Sequence, residues 1–158
     1  MGETALTKWE YLQESCVGPY ELTLKENGCI IFVASLKGHL LVASKHAFGP
    51  ALDPSKPSHA QQGEIWLEKH LEKSGATREM LSAYLESLDA TAVFELADDE
   101  FEEHVLEYPS ERRGLYCHGI NLNTAKFQSL PTDRVHEFAK KFGFLYVDVL
   151  VKDSIQGK

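Results

Sequence analysis

The sequence has 158 residues, of which 43% are hydrophobic and 25% charged, and its formal net charge is −8. This composition fits one domain or a piece of a larger one, with enough apolar residues for a packed core, and excludes a disordered tail. It also argues against a chain that binds nucleic acid by itself, because such binding depends on neutralising phosphates.

Neither a membrane segment nor a secretory leader is expected. No apolar run approaches the roughly 20 residues that span a bilayer, and the first residues lack the regions of a signal peptide. Three widely spaced cysteines, Cys16, Cys29 and Cys117, predict neither a disulfide framework nor a zinc site. We therefore expect an intracellular protein of the cytoplasm or nucleus, with no membrane partner.

The first half of the chain is predicted to begin with a short helix or arm and to continue into strands. The helix or arm covers residues 9–16, an alternating strand covers 20–24, and a β-branched, apolar strand covers 28–34. A turn at residues 35–38 leads into a strand at 39–43. Three prolines then mark a loop: Pro50, Pro54 and Pro57.

The second half mixes helices and strands. Helices are predicted over residues 59–73, after the N-cap candidate Thr77, and from Thr132 to the C-cap candidate Gly143. Strands are predicted at 92–97, 115–120 and 144–151. This order predicts an α+β fold with a largely antiparallel sheet flanked by helices. No internal boundary is visible, so residues 1–158 are interpreted as a single domain.

Charge is unevenly distributed. Seven carboxylates and no Lys or Arg lie between Glu95 and Glu107. For most of them a solvated acidic face is the expected role.

Lys25 is the candidate nucleophile. It follows a predicted strand and precedes Glu26, Asn27 and Gly28. The pattern is short, and a lysine before a turn is equally the solvated side chain of a hairpin. Glycine at the fourth position lets the backbone approach a ligand closely.

Four stretches around and after Lys25 resemble the fungal tRNA ligases, members of the covalent nucleotidyltransferase superfamily. Residues 18–32 (GPYELTLKENGCIIF) resemble their nucleophile motif, K-x-D/N-G. Ser44 and Lys45 resemble the Ser-Lys pair of the next strand. Residues 94–106 resemble the strand with an aromatic residue and a glutamate, and residues 114–121 (GLYCHGIN) resemble the motif that follows. The resemblance covers roughly residues 9–151.

The resemblance implies a DNA/RNA ligase-like nucleotidyltransferase fold, here incomplete, and an ATP-dependent RNA ligase that uses Mg²⁺. Lys25 would become covalently bound to AMP and transfer it to an RNA 5′-phosphate, and a 3′-OH, 2′-phosphate end would then displace AMP. The implied substrates are tRNA halves with 2′,3′-cyclic phosphate or 2′-phosphate and 5′-phosphate ends, and similarly spliced mRNA, as in the unfolded protein response. Since a free lysine has a pKa of about 10.4, Lys25 must lose a proton to attack.

The resemblance also implies roles for particular side chains. The expected nucleotide-binding residues are Glu26, Asn27, Gly28, Lys45, Phe94, Glu95 and Tyr116. Glu95 is the one possible metal ligand, and Phe94 and Tyr116 either flank the adenine or pack in the core.

Two histidines are candidates for holding the 2′-phosphate. His59 precedes a predicted helix, and His104 follows the acidic run. Imidazolium donates charge-assisted hydrogen bonds, although a lone histidine is equally a surface or capping residue. The histidines at positions 39, 70, 118 and 136 are interpreted as structural.

The resemblance is incomplete, because the later E-G-x-V-like and K-x-K-like strands are not found before Lys158. The helical, kinase and cyclic phosphodiesterase domains of the fungal enzymes are likewise not found. We therefore expect a partial ligase domain that is a poor ligase alone and self-associates through its incomplete sheet. Two alternatives stay open: a non-catalytic interaction module with this fold, and a capping-type guanylyltransferase.

Overall fold

The computed structural model describes residues 8–49, 55–102 and 107–154. They form two compact units. The terminal unit comprises the described parts of Met1–Lys25 and Asp148–Lys158, and the central unit comprises those of Glu26–Val147. Each unit has its own sheet, and each is described separately below.

The helices and strands of the described residues follow the order expected from the sequence. They are α1 (Trp9–Ser15), β1 (Tyr20–Thr23), β2 (Cys29–Leu36), β3 (His39–Ser44), α2 (His59–Ser74), α3 (Arg78–Leu88), β4 (Ala90–Ala97), β5 (Gly114–Leu122), α4 (Thr132–Phe142) and β6 (Val149–Lys152). All the pairings between these strands are antiparallel. The predicted α+β fold with a largely antiparallel sheet is therefore confirmed.

The terminal unit is built on a two-stranded ribbon. β1 pairs with β6 from Tyr20–Lys152 to Thr23–Val149. The Tyr20 hydroxyl donates a 2.6 Å hydrogen bond to the Cys16 carbonyl, which fixes the end of α1 against β1. The short helix and the first strand are thus formed where the sequence predicted them.

The central unit contains a four-stranded sheet in the order β3-β2-β4-β5. β2 and β3 form a hairpin whose two turn residues, Lys37 and Gly38, have φ angles of 52° and 79°. Two consecutive residues with positive φ match the type I′ turn, whose twist suits a tight hairpin. The predicted turn at residues 35–38 is therefore confirmed.

Helices α2, α3 and α4 pack on one face of this sheet. The core contains large side chains from both layers: Ile31, Leu67, Leu81, Leu85, Phe94, Ile120, Phe138 and Phe142. The helix ends follow capping rules, since the Thr77 hydroxyl accepts from the Met80 N–H and Gly143 ends α4 with a φ of 74°. Both caps were predicted.

The strand predicted over residues 144–151 is too long, because only Val149–Lys152 is a strand. Phe144 instead packs in the main core, and Leu145 forms a single parallel bridge with Tyr116. The first part of the apolar run therefore packs within the central unit, and only its last part forms a strand. The predicted loop prolines Pro50 and Pro54 lie outside the described residues.

None of the helices in the described part of the chain is both long and apolar enough to cross a membrane.

Candidate functional site

The two faces of the central sheet have different roles, and neighbouring residues of β4 show it. Phe94 points into the core, where it has no exposed surface and its ring lies 4.7 Å from that of Phe144. It is therefore a packing residue and is not positioned to flank an adenine, which corrects the implied nucleotide role. Glu95 alternates to the opposite face, on which none of α2, α3 and α4 packs.

On that open face, Glu95 lies between strands β2 and β5. It pairs with Ile30 on one side and with Tyr116 on the other. The register shifts between Phe94 and Val93, since Phe94 pairs with Cys117 and Val93 pairs with Gly119. This leaves His118 as the extra residue of a β-bulge, a feature that re-aims side chains near functional sites.

The bulge places His118 near Glu95, with its Nε2 3.8 Å from the Glu95 carboxylate. Tyr116 is buried, and its hydroxyl donates a 2.7 Å hydrogen bond to the Arg112 carbonyl. Desolvation raises the pKa of Tyr116, so the phenol stays neutral. Of the two roles left open for Tyr116, packing is the one that this structure shows. The residue nevertheless lies on the same face of the sheet as Glu95.

The segment after Lys25 is held at the same end of the sheet. The Tyr108 hydroxyl donates to the Glu26 carboxylate and accepts from the Asn27 N–H, both at 2.7 Å. Glu26 is buried, and the Arg112 guanidinium lies 3.8 Å from its other carboxylate oxygen. The structure therefore brings Glu26 and Asn27 into one hydrogen-bonded cluster with a residue 82 positions away.

Gly28 lies next to β4. A Cβ built on it would be 2.1 Å from the Leu96 carbonyl oxygen and 3.3 Å from the Glu95 Cγ. In this structure the glycine is thus required by its approach to a neighbouring strand. Its predicted approach to a nucleotide stays a prediction.

The two lysines of the motifs are both exposed. Lys25 is the last residue of the terminal unit and is joined by a peptide bond to Glu26, the first residue of the central unit. Lys45 follows β3 in a tight turn, in which Ser44 and Ala47 exchange hydrogen bonds. Their proposed contacts with phosphate stay predictions.

His59 is the first residue of α2 and has a carboxylate partner. Its Nε2 lies 3.0 Å from the Glu102 carboxylate, and its ring meets the Phe101 ring edge-on at 5.1 Å. A helix N-terminus favours anions, so this location suits a negatively charged group. His104 lies outside the described residues.

A cleft of about 500 Å³ opens next to Phe101. Its lining includes both charged and aromatic side chains, among them Lys56, Trp66, Lys69, Asp98, Phe101 and Arg113. The buried Asp98 carboxylate accepts 2.7 Å hydrogen bonds from the Gln62 amide and the Trp66 indole N–H, which join α2 to the segment after β4. The described residues of this cleft do not include the nucleotide-binding residues expected from the motifs.

A divalent metal would have few protein ligands here. Among residues 8–49, 55–102 and 107–154, no three His, Cys, Asp or Glu side chains converge as a metal site. Mg²⁺ bound with a nucleotide usually takes only one or two carboxylates, and phosphate oxygens and waters complete its shell. Glu95, half-buried on the open face, fits one such ligand.

The sequence interpretation missed Tyr108, Arg112 and the bulge at His118. Tyr108 and Arg112 surround Glu26, and both follow the acidic run that was interpreted as a solvated face. No local periodicity marks these contacts, because they depend on which strands become neighbours. The sequence shows only a tyrosine directly after the acidic run, and that position does not indicate which residues it contacts.

The family model described as RNA ligase matches residues 1–157 of this chain. A tRNA ligase of Schizosaccharomyces pombe is 49% identical over 154 residues, which cover 97% of this chain and 19% of that protein. A tRNA ligase of Candida albicans is 44% identical over 168 residues, covering 96% of this chain and 20% of the relative. The chain thus spans about a fifth of the length of these relatives.

Solved structures show the same fold at low identity. An RNA ligase of Naegleria gruberi, solved as a mutant with ATP and Mn, matches 99% of this chain and 44% of its own, with a TM-score of 0.68 and 12% identity. The same enzyme with PPi matches 93% and 41%, with a TM-score of 0.63 and 13% identity. The nucleotidyltransferase fold expected from the sequence is thereby confirmed.

Proposed function

The chain belongs to the RNA ligase family, and from that premise we propose that it contributes the nucleophile part of an ATP-dependent tRNA ligase. The observation that carries the proposal is the convergence of Glu26, Asn27 and Gly28 with Glu95 and Tyr116 at one end of the central sheet. Lys25 precedes this cluster directly in the chain. The names of the fungal relatives support tRNA as the substrate class. The location of the enzyme in the cytoplasm or nucleus stays a proposal from the sequence.

In the proposed first step, the neutral Lys25 Nζ attacks the α-phosphorus of ATP. An N–P bond forms, the bond from the α-phosphorus to the bridging oxygen breaks, and pyrophosphate leaves with that electron pair. The nitrogen, which becomes positively charged when the N–P bond forms, then releases one proton and gives a lysyl-AMP phosphoramidate. An oxygen of an RNA 5′-phosphate then displaces the lysine, and a 3′-OH finally displaces AMP to seal the strand.

Residues of the four motifs would position this nucleotide. Asn27 and Glu95 offer polar groups for ribose hydroxyls, and Lys45 offers a cation for phosphate. Glu95 would hold Mg²⁺, which would supply positive charge next to the phosphates. Positioning and charge stabilisation supply most of the catalysis in such transfers.

We propose that His59 contacts the 2′-phosphate of the RNA end that supplies the 3′-OH. Support comes from its place at the N-terminus of α2 and from Glu102, since a side chain that already pairs with a carboxylate suits a phosphate. The neighbouring cleft offers further cations at Lys56 and Lys69. His104 stays a proposal of the same kind.

Self-association also remains a proposal. Its support is the β1–β6 ribbon, in which Leu22, Leu150 and Val151 are each more than half exposed. Apolar patches of this kind serve as contact surfaces.

Nucleotide choice tests the proposed function against its alternatives. The full-length protein is incubated with ATP or GTP labelled at the α-phosphate, and the protein is checked for covalent label. Label from ATP supports the ligase. Label from GTP alone would favour the guanylyltransferase, and no label from either would favour the interaction module.

A further inference from the structure

One phenolic oxygen binds both residues that follow the expected nucleophile. The Tyr108 hydroxyl lies 2.7 Å from the Glu26 carboxylate and 2.7 Å from the Asn27 nitrogen. A hydroxyl has one proton to donate and lone pairs to accept. Since the Asn27 N–H can only donate, the phenolic proton must be directed to Glu26.

We propose that Tyr108 is a positioning residue that fixes the segment bonded to Lys25 during nucleotidyl transfer. The inference rests on the proposed function, because it is the Lys25 amine that has to be positioned. Neither Tyr108 nor the short segment around it was among the residues singled out by motif.

Tyr108 can hold its hydrogen-bond partners in place because its own backbone and ring are fixed by contacts. Its N–H donates a 2.5 Å hydrogen bond to the Asp99 carboxylate, and its carbonyl accepts one of 2.8 Å from the Arg113 Nε. The residue is only 3% exposed and belongs to a small cluster with Ala97, Tyr116 and Val147. The hydroxyl is therefore presented from a site that is anchored on three sides.

The hydrogen bond also has the right charge state. Desolvation by burial raises the pKa of Tyr108 to about 12, so the phenol keeps its proton throughout the neutral range. Its partner Glu26 is only 8% exposed. Hydrogen bonds to a buried carboxylate are stronger than neutral ones, and losing one leaves the charge poorly compensated.

The mechanical consequence is local. Glu26 and Asn27 are fixed by side-chain contacts across the sheet end, and Lys25 is one peptide bond before them. A displacement of about 1 Å from a reactive geometry can reduce a rate by roughly 100-fold. Loss of the hydroxyl is therefore expected to slow attack by Lys25 by more than the decrease in the folded fraction explains.

The test uses Tyr108→Phe in the full-length protein, which keeps the ring and removes only the hydroxyl. The rate of lysyl-AMP formation is measured in a single turnover across ATP concentrations, together with the melting temperature. We expect the rate at saturating ATP to fall by about 10- to 100-fold. The half-saturating ATP concentration should change less than about twofold, because ground-state binding is retained.

Glu26→Gln perturbs the same hydrogen bond from its other end. It should reduce the saturating rate similarly, and the double variant should be little slower than the slower single variant, because the residues act as one unit. Tyr84→Phe is the matched control. Tyr84 is a half-buried tyrosine of α3, whose ring packs on Phe138 and Phe142, and its variant should react at the wild-type rate.

Three results would overturn the inference: a Tyr108→Phe rate within twofold of wild type, losses that multiply in the double variant, or a loss that merely tracks the unfolded fraction. These outcomes are distinct from failure of the proposed function. If Lys25→Ala abolishes labelling while Tyr108→Phe is unaffected, only the role of Tyr108 fails. If Lys25→Ala is still labelled, the proposed nucleophile itself fails.

Discussion

The backbone of Gly28 runs so close to the carbonyl oxygen of Leu96 that a Cβ at position 28 would lie 2.1 Å from it. The obstacle is main chain within β4, so it cannot rotate away as a flexible side chain would. Cys29, the next residue, is the register partner of Leu96. The glycine thus allows β2 to begin beside β4, with Glu26 and Asn27 directly before it in the same unit.

Replacing Gly28 with alanine should therefore destabilise the fold as well as impair any ligand binding. Forcing an extra methyl into a packed site costs roughly 1–3 kcal/mol, and a main-chain obstacle favours the upper part of that range. Urea unfolding of both proteins measures the difference. Gly119→Ala is the control, because a Cβ built on Gly119 would be 3.5 Å from the Ser129 Oγ, which is an ordinary contact distance. Equal stability of Gly28→Ala and wild type would refute the packing role.

His70 makes stability depend on pH. Its Nε2 accepts from the Leu115 N–H at 3.0 Å, so the proton lies on Nδ1, which donates to the Gly143 carbonyl at 2.8 Å. Burial lowers the pKa of His70 from 6.5 to about 4. The unfolded chain therefore binds a proton first as pH falls.

The free energy of unfolding should decrease between pH 6.5 and about 4 because of this histidine. The expected contribution at pH 4.5, relative to pH 7.5, is about 2–3 kcal/mol. His70→Gln removes the titration, so its stability curve should be flatter in this interval than that of wild type. His39→Gln, at an exposed position, should keep the wild-type slope. Identical slopes for His70→Gln and wild type would contradict the assignment.

His59 is expected to distinguish RNA ends. In the full-length protein, His59→Ala should reduce sealing of 2′-phosphate ends by about tenfold or more, the equivalent of one hydrogen bond to a charged group. Lysyl-AMP formation should change less than about twofold. His39→Ala serves as the matched histidine control. Equal losses in both steps would indicate a structural or nucleotide role.

Glu102→Gln tests the same contact in the opposite direction. It removes the carboxylate that lies 3.0 Å from His59 and that would compete with a phosphate. Use of 2′-phosphate ends should therefore be maintained or improved. A loss as large as that of His59→Ala would show that the pair, rather than the histidine alone, is needed.

Local signals in the sequence predicted local structure well. The turn before β3 was predicted from its polar, glycine-containing residues, and the start of α3 was predicted from a threonine that does cap it. The same reasoning failed at Phe144, where an apolar run was interpreted as strand. Periodicity reports that side chains are buried, but not which layer buries them.

In the candidate site, too, the sequence predicted the residues that belong to local motifs and missed those that depend on the fold. The motifs identified Glu26 and Glu95, which the fold does bring to one end of the sheet. The sequence could not show whether Phe94 packs in the core or binds a ligand, because an aromatic residue in either role alternates with apolar neighbours. Tyr108 could not be identified either, because its role depends on a contact across 82 residues that only the assembled sheet creates.

The most direct test of this account is to locate AMP on the protein. The full-length protein is incubated with ATP and Mg²⁺, digested, and its peptides are mapped by mass spectrometry, alongside Lys25→Ala and the control Lys37→Ala at the exposed hairpin turn. We predict a single AMP on Lys25, which is lost in Lys25→Ala and retained in Lys37→Ala. AMP on Lys45 or on another lysine, or undiminished labelling of Lys25→Ala, would contradict the account.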